Sequence, residues 1–332
     1  MGLRIQNENG GIMNIPKCAA TASAIKENIQ KVIIGKSEVI DCMLASLIAG
    51  GHVLLEDVPG TGKTVLAKSL ARSISGQFSR VQFTPDLMPS DVTGLYFYNQ
   101  KESEFTFRPG PVFCNLLLAD EINRATPRTQ SALLECMEEK QVTIDGKTHP
   151  LNPPFFVIAT ENPVETTGTF PLPEAQLDRF LMKLSMGLPT ETEELQILNR
   201  FVADQPLTTL ESVCTQEDLL EMQQTCPQIY VHPAVMQYIV ALVQATRSDR
   251  SLITGVSPRG SLALLRSCQA YAMIAGRDYV VPEDVKALAV PVLAHRLVTG
   301  HAAGSIHRPE QMIAQLLDQV PVPTETELSR KG

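Results

Sequence analysis

The stretch His52-Val53-Leu54-Leu55-Glu56-Asp57-Val58-Pro59-Gly60-Thr61-Gly62-Lys63-Thr64 carries a short apolar run, a glycine loop and a helix start in immediate succession. His52–Glu56 is apolar and bounded by turn residues, which predicts a short buried strand. Thr64–Ser73 predicts a helix. Between them, Gly60 and Gly62 let backbone N–H groups approach phosphate oxygens with no side chain in the way. The helix start adds the positive end of its dipole. Pro59, Gly60, Thr61, Gly62, Lys63, Thr64 and Val65 are therefore the expected nucleotide-binding residues. Lys63 would reach the β- and γ-phosphates, and the Thr64 hydroxyl would bind Mg²⁺. A strict G-x-x-x-x-G-K-[ST] loop begins with glycine, where this chain has Asp57. On this segment alone, a solvent-facing glycine-rich turn is the alternative.

Further along, Leu116-Leu117-Leu118-Ala119 ends in Asp120-Glu121, two acids at the carboxyl end of a hydrophobic strand. Open parallel sheets bind ligands at that edge. Asp120 is expected to hold Mg²⁺ through water, and Glu121 to orient and polarise the attacking water. An isolated acidic pair after a strand is as commonly a helix N-cap. Following a phosphate loop, the two signals support each other and point to nucleotide hydrolysis. A third apolar strand, Phe155–Thr160, ends in Thr160-Glu161-Asn162-Pro163. The Asn162 amide could hydrogen-bond both the γ-phosphate and the nucleophilic water, although Asn-Pro is also ordinary turn chemistry.

Up to about residue 188 short strands alternate with helices, which predicts a mostly parallel sheet between helices. The expected elements include helices at Ala20–Val32, Ser37–Ala49 and Pro127–Glu139, and strands at Val81–Phe83 and Val112–Ala119. From about Pro189 only helices are expected, four of them with proline near the start: Thr190–Phe201, Gln216–Thr225, Pro233–Thr246, Pro258–Gly276, Pro282–Val298 and Pro309–Val320. The division reads as a loose tail over 1–16, an α/β core over 17–188 and a small all-helical domain over 189–332, joined near Gly187–Thr190. Two insertions stand out in the core. Residues 85–111 place Tyr96-Phe97-Tyr98 and Phe105-Thr106-Phe107 about a polar turn, and residues 140–151 centre on Asp145-Gly146; both predict β-hairpins. Either could be decoration of a sheet edge.

The 332 residues exceed what one core usually organises. A net charge of −8 argues against a large nucleic-acid footprint. No long uncharged apolar run predicts a membrane span, and the first sixteen residues lack the apolar block of a secretory signal. The seven cysteines form no C-x-x-C pair and read as reduced core thiols of a cytoplasmic protein. The six histidines show no ligand spacing.

The order of phosphate loop, acidic strand end, polar strand end and helical lid resembles the AAA+ P-loop ATPases, and four strings resemble the MoxR family within them. These are Glu56-Asp57-Val58-Pro59-Gly60, Asp120-Glu121-Ile122-Asn123-Arg124-Ala125, Gln130-Ser131-Ala132-Leu133-Leu134-Glu135, and Glu174-Ala175-Gln176-Leu177-Asp178-Arg179-Phe180. In that family Asp57 is an ordinary member of the loop. The resemblance implies that Asn162 is sensor 1, that Arg179 is an arginine finger reaching a neighbouring subunit's ATP, and that Arg259, in Gly255-Val256-Ser257-Pro258-Arg259, is sensor 2, a catalytic and nucleotide-binding arginine. It further implies that Val32-Ile33-Ile34-Gly35 packs on the adenine. Without it, Arg179 would read as paired with Asp178 and Arg259 as a solvated helix start. The insertions resemble a helix-2 insert and a pre-sensor-1 hairpin.

A finger supplied in trans implies a ring, expected to be a hexamer. The family resemblance implies an Mg-dependent, ATP-driven remodeller that matures or activates a protein partner, commonly a separate protein with a von Willebrand factor A (VWA) domain. A magnesium-chelatase-like ATPase subunit shares most of the motifs. A DNA-remodelling ATPase would need basic hairpin tips, where Lys140, Lys147 and His149 face Glu138, Glu139 and Asp145 in sequence. A non-catalytic nucleotide sensor would not need Lys63, Asp120, Glu121 and Asn162 together.

Overall fold

The computed structural model describes residues 14–163, 168–203, 206–299, 308–324 and 327–328. Helices α1 (Ile15–Gln30) and α2 (Ser37–Ile48) precede strand β1 (Val53–Glu56), which feeds helix α3 (Lys63–Ser73) through the glycine loop. Strand β2 (Phe78–Gln82), helix α4 (Pro89–Thr93) and the strands β3 (Gly94–Asn99) and β4 (Glu104–Pro109) follow. Next come β5 (Leu116–Asp120), α5 (Pro127–Glu139), β6 (Gln141–Ile144), β7 (Lys147–Pro150), β8 (Phe156–Glu161), α6 (Glu174–Leu177) and β9 (Met182–Leu184). The remainder comprises α7 (Glu191–Ala203), α8 (Gln216–Thr225), α9 (Pro233–Ser248), β10 (Leu252–Thr254), α10 (Pro258–Ile274), α11 (Pro282–Leu293), β11 (Val298–Thr299) and α12 (Pro309–Gln319).

The central sheet has the order β2-β5-β8-β1-β9, and every pairing in it is parallel. Its inner strands β1, β5 and β8 are short and almost wholly buried, which is why they read as apolar runs, whereas β2 at one edge is largely half-buried or exposed. Val53, Leu55, Leu118 and Ile158 pack with Ile29, Leu66 and Leu70 of α1 and α3. Leu54, Leu117, Ala119 and Val157 turn the other way, onto Leu133, Leu134 and Met137 of α5. The registers Glu56↔Glu161 and Gln82↔Asp120 align the strand ends. The glycine loop and the acids therefore emerge at one carboxyl edge, with the loop after β1 between β8 and β9.

Three expectations are corrected. Residues 1–13 of the expected tail lie outside the described residues, but Ile15 and Pro16 belong to α1. Asn14 caps that helix by accepting from the Lys17 amide at 3.1 Å, Pro16 suits the first turn, and Ile15 is 5% exposed. An N-cap, an apolar residue and a proline in succession make this a helix start rather than the end of a tail. Second, the region after Pro189 is not purely helical: Leu252–Thr254 pairs antiparallel with Val298–Thr299. The helix expected to run to Val298 stops at Leu293 and passes through a 3-10 turn, Ala294–Arg296, where β-branched Val298 and Thr299 favour a strand. Third, the strands expected at Val81–Phe83 and Val112–Ala119 run instead over Phe78–Gln82 and Leu116–Asp120. The later helices also share a core with the earlier ones. Leu219, Ile239, Leu264 and Leu288 belong to the same apolar cluster as Ile25 and Leu66.

The hairpins β3–β4 and β6–β7 are both antiparallel. Asp145 and Gly146 both take positive φ (50° and 74°), the twist a two-residue hairpin turn requires. The two hairpins touch: His149 stacks on Phe107 with ring centroids 4.1 Å apart, and its Nε2 lies 3.1 Å from the Tyr96 hydroxyl. All seven cysteines are free, and burial pushes the thiols of Cys42, Cys136 and Cys226 up to about 12.

Candidate functional site

The loop after β1 has the geometry of a phosphate cradle. Gly60 (φ 87°) and Gly62 (φ 92°) lie in the left-handed region that favours glycine. No neighbouring atom stands within 4 Å of where a Gly60 Cβ would be, so the space beside Gly60 is open. Gly62 caps α3. Pro59 and Gly60 are exposed, and Thr61, Lys63, Thr64 and Val65 are half-buried. The Thr61 hydroxyl donates to the Val58 carbonyl at 3.3 Å, closing the turn.

Asp57 has a physical task. Its carboxylate accepts from the Ser185 hydroxyl (2.7 Å), the Met186 amide (2.6 Å) and the Gly187 amide (3.1 Å). The side chain ties the loop to the segment that follows β9 and leads to α7. A glycine at this position would leave those amides without their acceptor.

The ammonium of Lys63 rests on two backbone carbonyls, Asp57 at 2.5 Å and Glu161 at 3.3 Å. Burial lowers its pKa, while the carboxylates of Asp57, Asp120, Glu121 and Glu56 pull the other way. Asp120 ends β5 in the same edge. Its Oδ1 accepts from the Thr160 hydroxyl at 2.7 Å, and the same Thr160 oxygen accepts the Glu121 amide at 2.8 Å. Thr160 thus joins the strand carrying both acids to the strand that leads to Asn162. Glu121 holds φ 57°, a conformation a non-glycine residue keeps only where its surroundings impose it. Its carboxylate receives the Gln82 amide at 2.8 Å and Arg124 Nε at 3.1 Å. Asn162 is 4% exposed, and its carbonyl accepts from Asn123 Nδ2 at 3.4 Å.

These residues fit a nucleotide with a hard divalent cation. Thr64 offers a hydroxyl and Asp120 a carboxylate, the oxygen donors Mg²⁺ prefers. Among the described residues no group of three or more His, Cys, Asp and Glu could form an all-protein metal site. Glu161 lies beside this cluster, and burial, then the neighbouring Glu56, raises its carboxyl to about 7 against the opposing effect of Lys183. Lys183 is itself paired with Glu56 at 2.8 Å.

The segment expected on the adenine is the turn between α1 and α2. Ile33 and Ile34 are 7% and 9% exposed, and Gly35 holds φ 67°. A Cβ on Gly35 would run into the Glu193 carboxylate of α7. Lys36 donates to the Leu188 carbonyl at 3.1 Å. Both this turn and the glycine loop are therefore pinned to residues 185–193.

Arg179 and Arg259 are brought together, but not onto this edge. Glu138 of α5 accepts both, Arg179 Nε at 3.3 Å and Arg259 Nη2 at 3.2 Å, and Arg259 Nε lies 3.7 Å from Asp178. They line one cavity with Gly51, His52 and Leu181, residues that precede β1 and β9. The arginines thus occupy the amino edge of the sheet, separated from the loop by the four residues of β1, roughly 13 Å at strand rise. Arg259 does not join Lys63 and Asp120 within one chain; it joins Arg179. The reason is packing: Gly260 sits against Val256 and Arg296, seating the start of α10 over the amino edge. Arg296, 3% exposed at its side chain, donates to Asp178 at 2.7 Å and to the Phe180 carbonyl at 2.8 Å, fixing the turn that carries Arg179.

Several functional neighbours escape motif reading. Arg80 and Gln82 engage Asp120 and Glu121 from β2. Their alternation on one strand face is visible in sequence, but not the register that sets them against β5. Ser185, Glu138 and Arg296 carry no motif at all, and Thr160 lies in the polar strand end without a signal of its bond to Asp120.

The sequence matches the family model described as the ATPase family associated with various cellular activities (AAA) over residues 52–182, and an AAA lid domain over residues 244–316. YeaC, an uncharacterized protein of Bacillus subtilis (strain 168), is 50% identical over 90% of this chain and 94% of its own. The chaperone MoxR1 of Mycobacterium tuberculosis is 42% identical over 92% of this chain and 83% of its own. A crystal structure of a candidate ATPase from Cytophaga hutchinsonii superposes with a TM-score of 0.85 at 39% identity, covering 93% of this chain and 98% of that one.

Proposed function

The chain belongs to the MoxR family of AAA+ ATPases, and from that premise we propose that it assembles into a ring, a hexamer, in which Mg-dependent ATP hydrolysis remodels or activates a separate protein partner. The observation that carries the reading is the convergence of the open glycine loop, Lys63, Asp120, Glu121 and Asn162 at one carboxyl edge while Arg179 and Arg259 stand at the other. One chain supplies half of a hydrolytic site at each end, and a head-to-tail neighbour completes both.

In this reading the core runs from α1, which starts at Ile15, to about residue 188, and the lid begins at 189. Pro59 to Val65 wrap the phosphates, and the Val32–Gly35 turn contacts the base. Thr64 and Asp120 hold the cation, which would neutralise phosphate charge as it develops. Glu121 orients and polarises the attacking water, a step suited to a carboxylate already held in a fixed direction by its neighbours. Asn162 positions the same water. Arg179 and Arg259 stabilise charge on the transferring phosphoryl group of the adjacent subunit, an effect that can reach about 10³–10⁵ in rate. Movement of residues 185–193, bonded both to the loop through Asp57 and to the base turn through Lys36, would carry nucleotide state to the lid.

The partner is proposed to be a VWA-domain protein or another protein client, met in the cytoplasm. Among the described residues no helix is long and apolar enough to cross a membrane. The hairpin pair β3–β4 and β6–β7, exposing Phe97, Tyr98 and Phe105, is the proposed client-facing surface. The Glu121→Gln protein, expected to bind ATP without turning it over, tests this: it should co-purify with a protein partner when ATP is present. Recovery of nucleic acid instead would overturn the reading of the client.

A further inference from the structure

Arg80 sits where neither the loop nor the acidic motif required a cation. Its Nε and Nη2 both point at a single oxygen, Oδ2 of Asp120, at 3.1 and 2.7 Å. The other carboxylate oxygen is committed elsewhere: Oδ1 accepts from Thr160, whose hydroxyl oxygen also takes the Glu121 amide. Oδ1 therefore anchors the strand ends, and Oδ2 is the oxygen left for an added cation. A carboxylate oxygen offers about two lone-pair directions, and the forked guanidinium takes both.

We propose that Arg80 is a displaceable counter-cation for Asp120, occupying Oδ2 in the metal-free protein and vacating it when a divalent cation is loaded with the nucleotide. The inference rests on the nucleotide-site reading above. Three observations support displacement over a permanent bond. Arg80 lies on β2, an edge strand of the sheet, and its side chain is 44% exposed against 11% for Asp120. The guanidinium can swing into water on its long stem while the carboxylate stays fixed. A second acceptor is in reach, since Arg80 Nη2 also donates to Gln82 Oε1 at 3.0 Å. The local charge also favours departure: Lys63 and Arg124 already stand beside Asp120 and Glu121, so an added divalent ion would crowd a third fixed cation.

The test measures binding, not turnover. A fluorescent non-hydrolysable ATP analogue is titrated into the full chain, once with a chelator and once with Mn²⁺, and the ratio of the two affinities is taken. Arg80→Gln should leave the chelator affinity near wild type and increase the Mn²⁺ enhancement about fivefold to tenfold, the scale of losing one charge-assisted competitor. Arg80→Lys, which keeps the charge but cannot fork, should increase it by less and serves if the glutamine variant fails to fold. An enhancement that is unchanged or smaller in the variants would show Arg80 to be a fixed orienting group and overturn the proposal. Absence of analogue binding to wild type under both conditions would instead sink the nucleotide-site reading itself.

Discussion

The Asp57 carboxylate accepts the backbone amide of Met186 at 2.6 Å. That bond spans the glycine loop and the segment leaving the last strand of the sheet, and it gives Asp57, which breaks the strict loop pattern, a structural purpose. Restoring the pattern with Asp57→Gly should therefore harm the protein. With the Met186 amide left without its acceptor, we expect a loss of roughly 2–3 kcal/mol in unfolding free energy, read by denaturant melts, together with weaker nucleotide binding. An unchanged melt would mean that the three bonds to Asp57 do not hold the loop.

Glu161 gives a pH-dependent prediction. Its folded pKa is raised, mainly by burial, from 4.5 to about 7, so the folded state holds its proton more tightly than the unfolded state does. The associated stability is present below pH 4.5 and is lost as pH rises through about 7. Glu161→Gln removes the titration. The variant should therefore gain on wild type by ~3 kcal/mol between acid and pH 8, read as diverging melting curves. Parallel curves across that range would contradict the buried, proton-retaining carboxyl.

The sequence disclosed the phosphate loop, both acids, the polar strand end and the hairpin at Asp145-Gly146, because each is a local pattern tied to local backbone geometry. The register between strands is not local. Arg80 and Gln82 meet the acids only because Gln82 aligns with Asp120 across a parallel pair, and nothing in either strand states that alignment. Strand β9 has no local signature for a related reason: Met182–Leu184 is three residues long and pairs with the edge that β1 offers it. Arg259 shows the same limit at the next level. Its place at the head of a helix was readable, but the edge of the sheet that helix sits on was not, because tertiary packing around Gly260 and Arg296 decides it.

The shared seat of the two arginines on Glu138 predicts matching phenotypes. Arg179→Ala and Arg259→Ala should each bind nucleotide with near-wild-type affinity and lose turnover, by about 10³-fold or more for Arg179. Steady-state ATPase assays beside direct binding measurements check this. Weakened nucleotide binding by an isolated Arg259→Ala monomer would return that residue to its own chain's site.

The most direct measurement of the account mixes two inactive proteins. Lys63→Ala lacks the loop lysine but keeps Arg179 and Arg259; Arg179→Ala lacks the proposed finger but keeps Lys63, Asp120 and Glu121. If each site is built across an interface between subunits, mixed assemblies contain junctions with both intact halves. ATP hydrolysis should then reappear on mixing, greatest near equal proportions. A mixture as inactive as its components, with co-assembly verified by a tag on one of them, would contradict a site shared between neighbours.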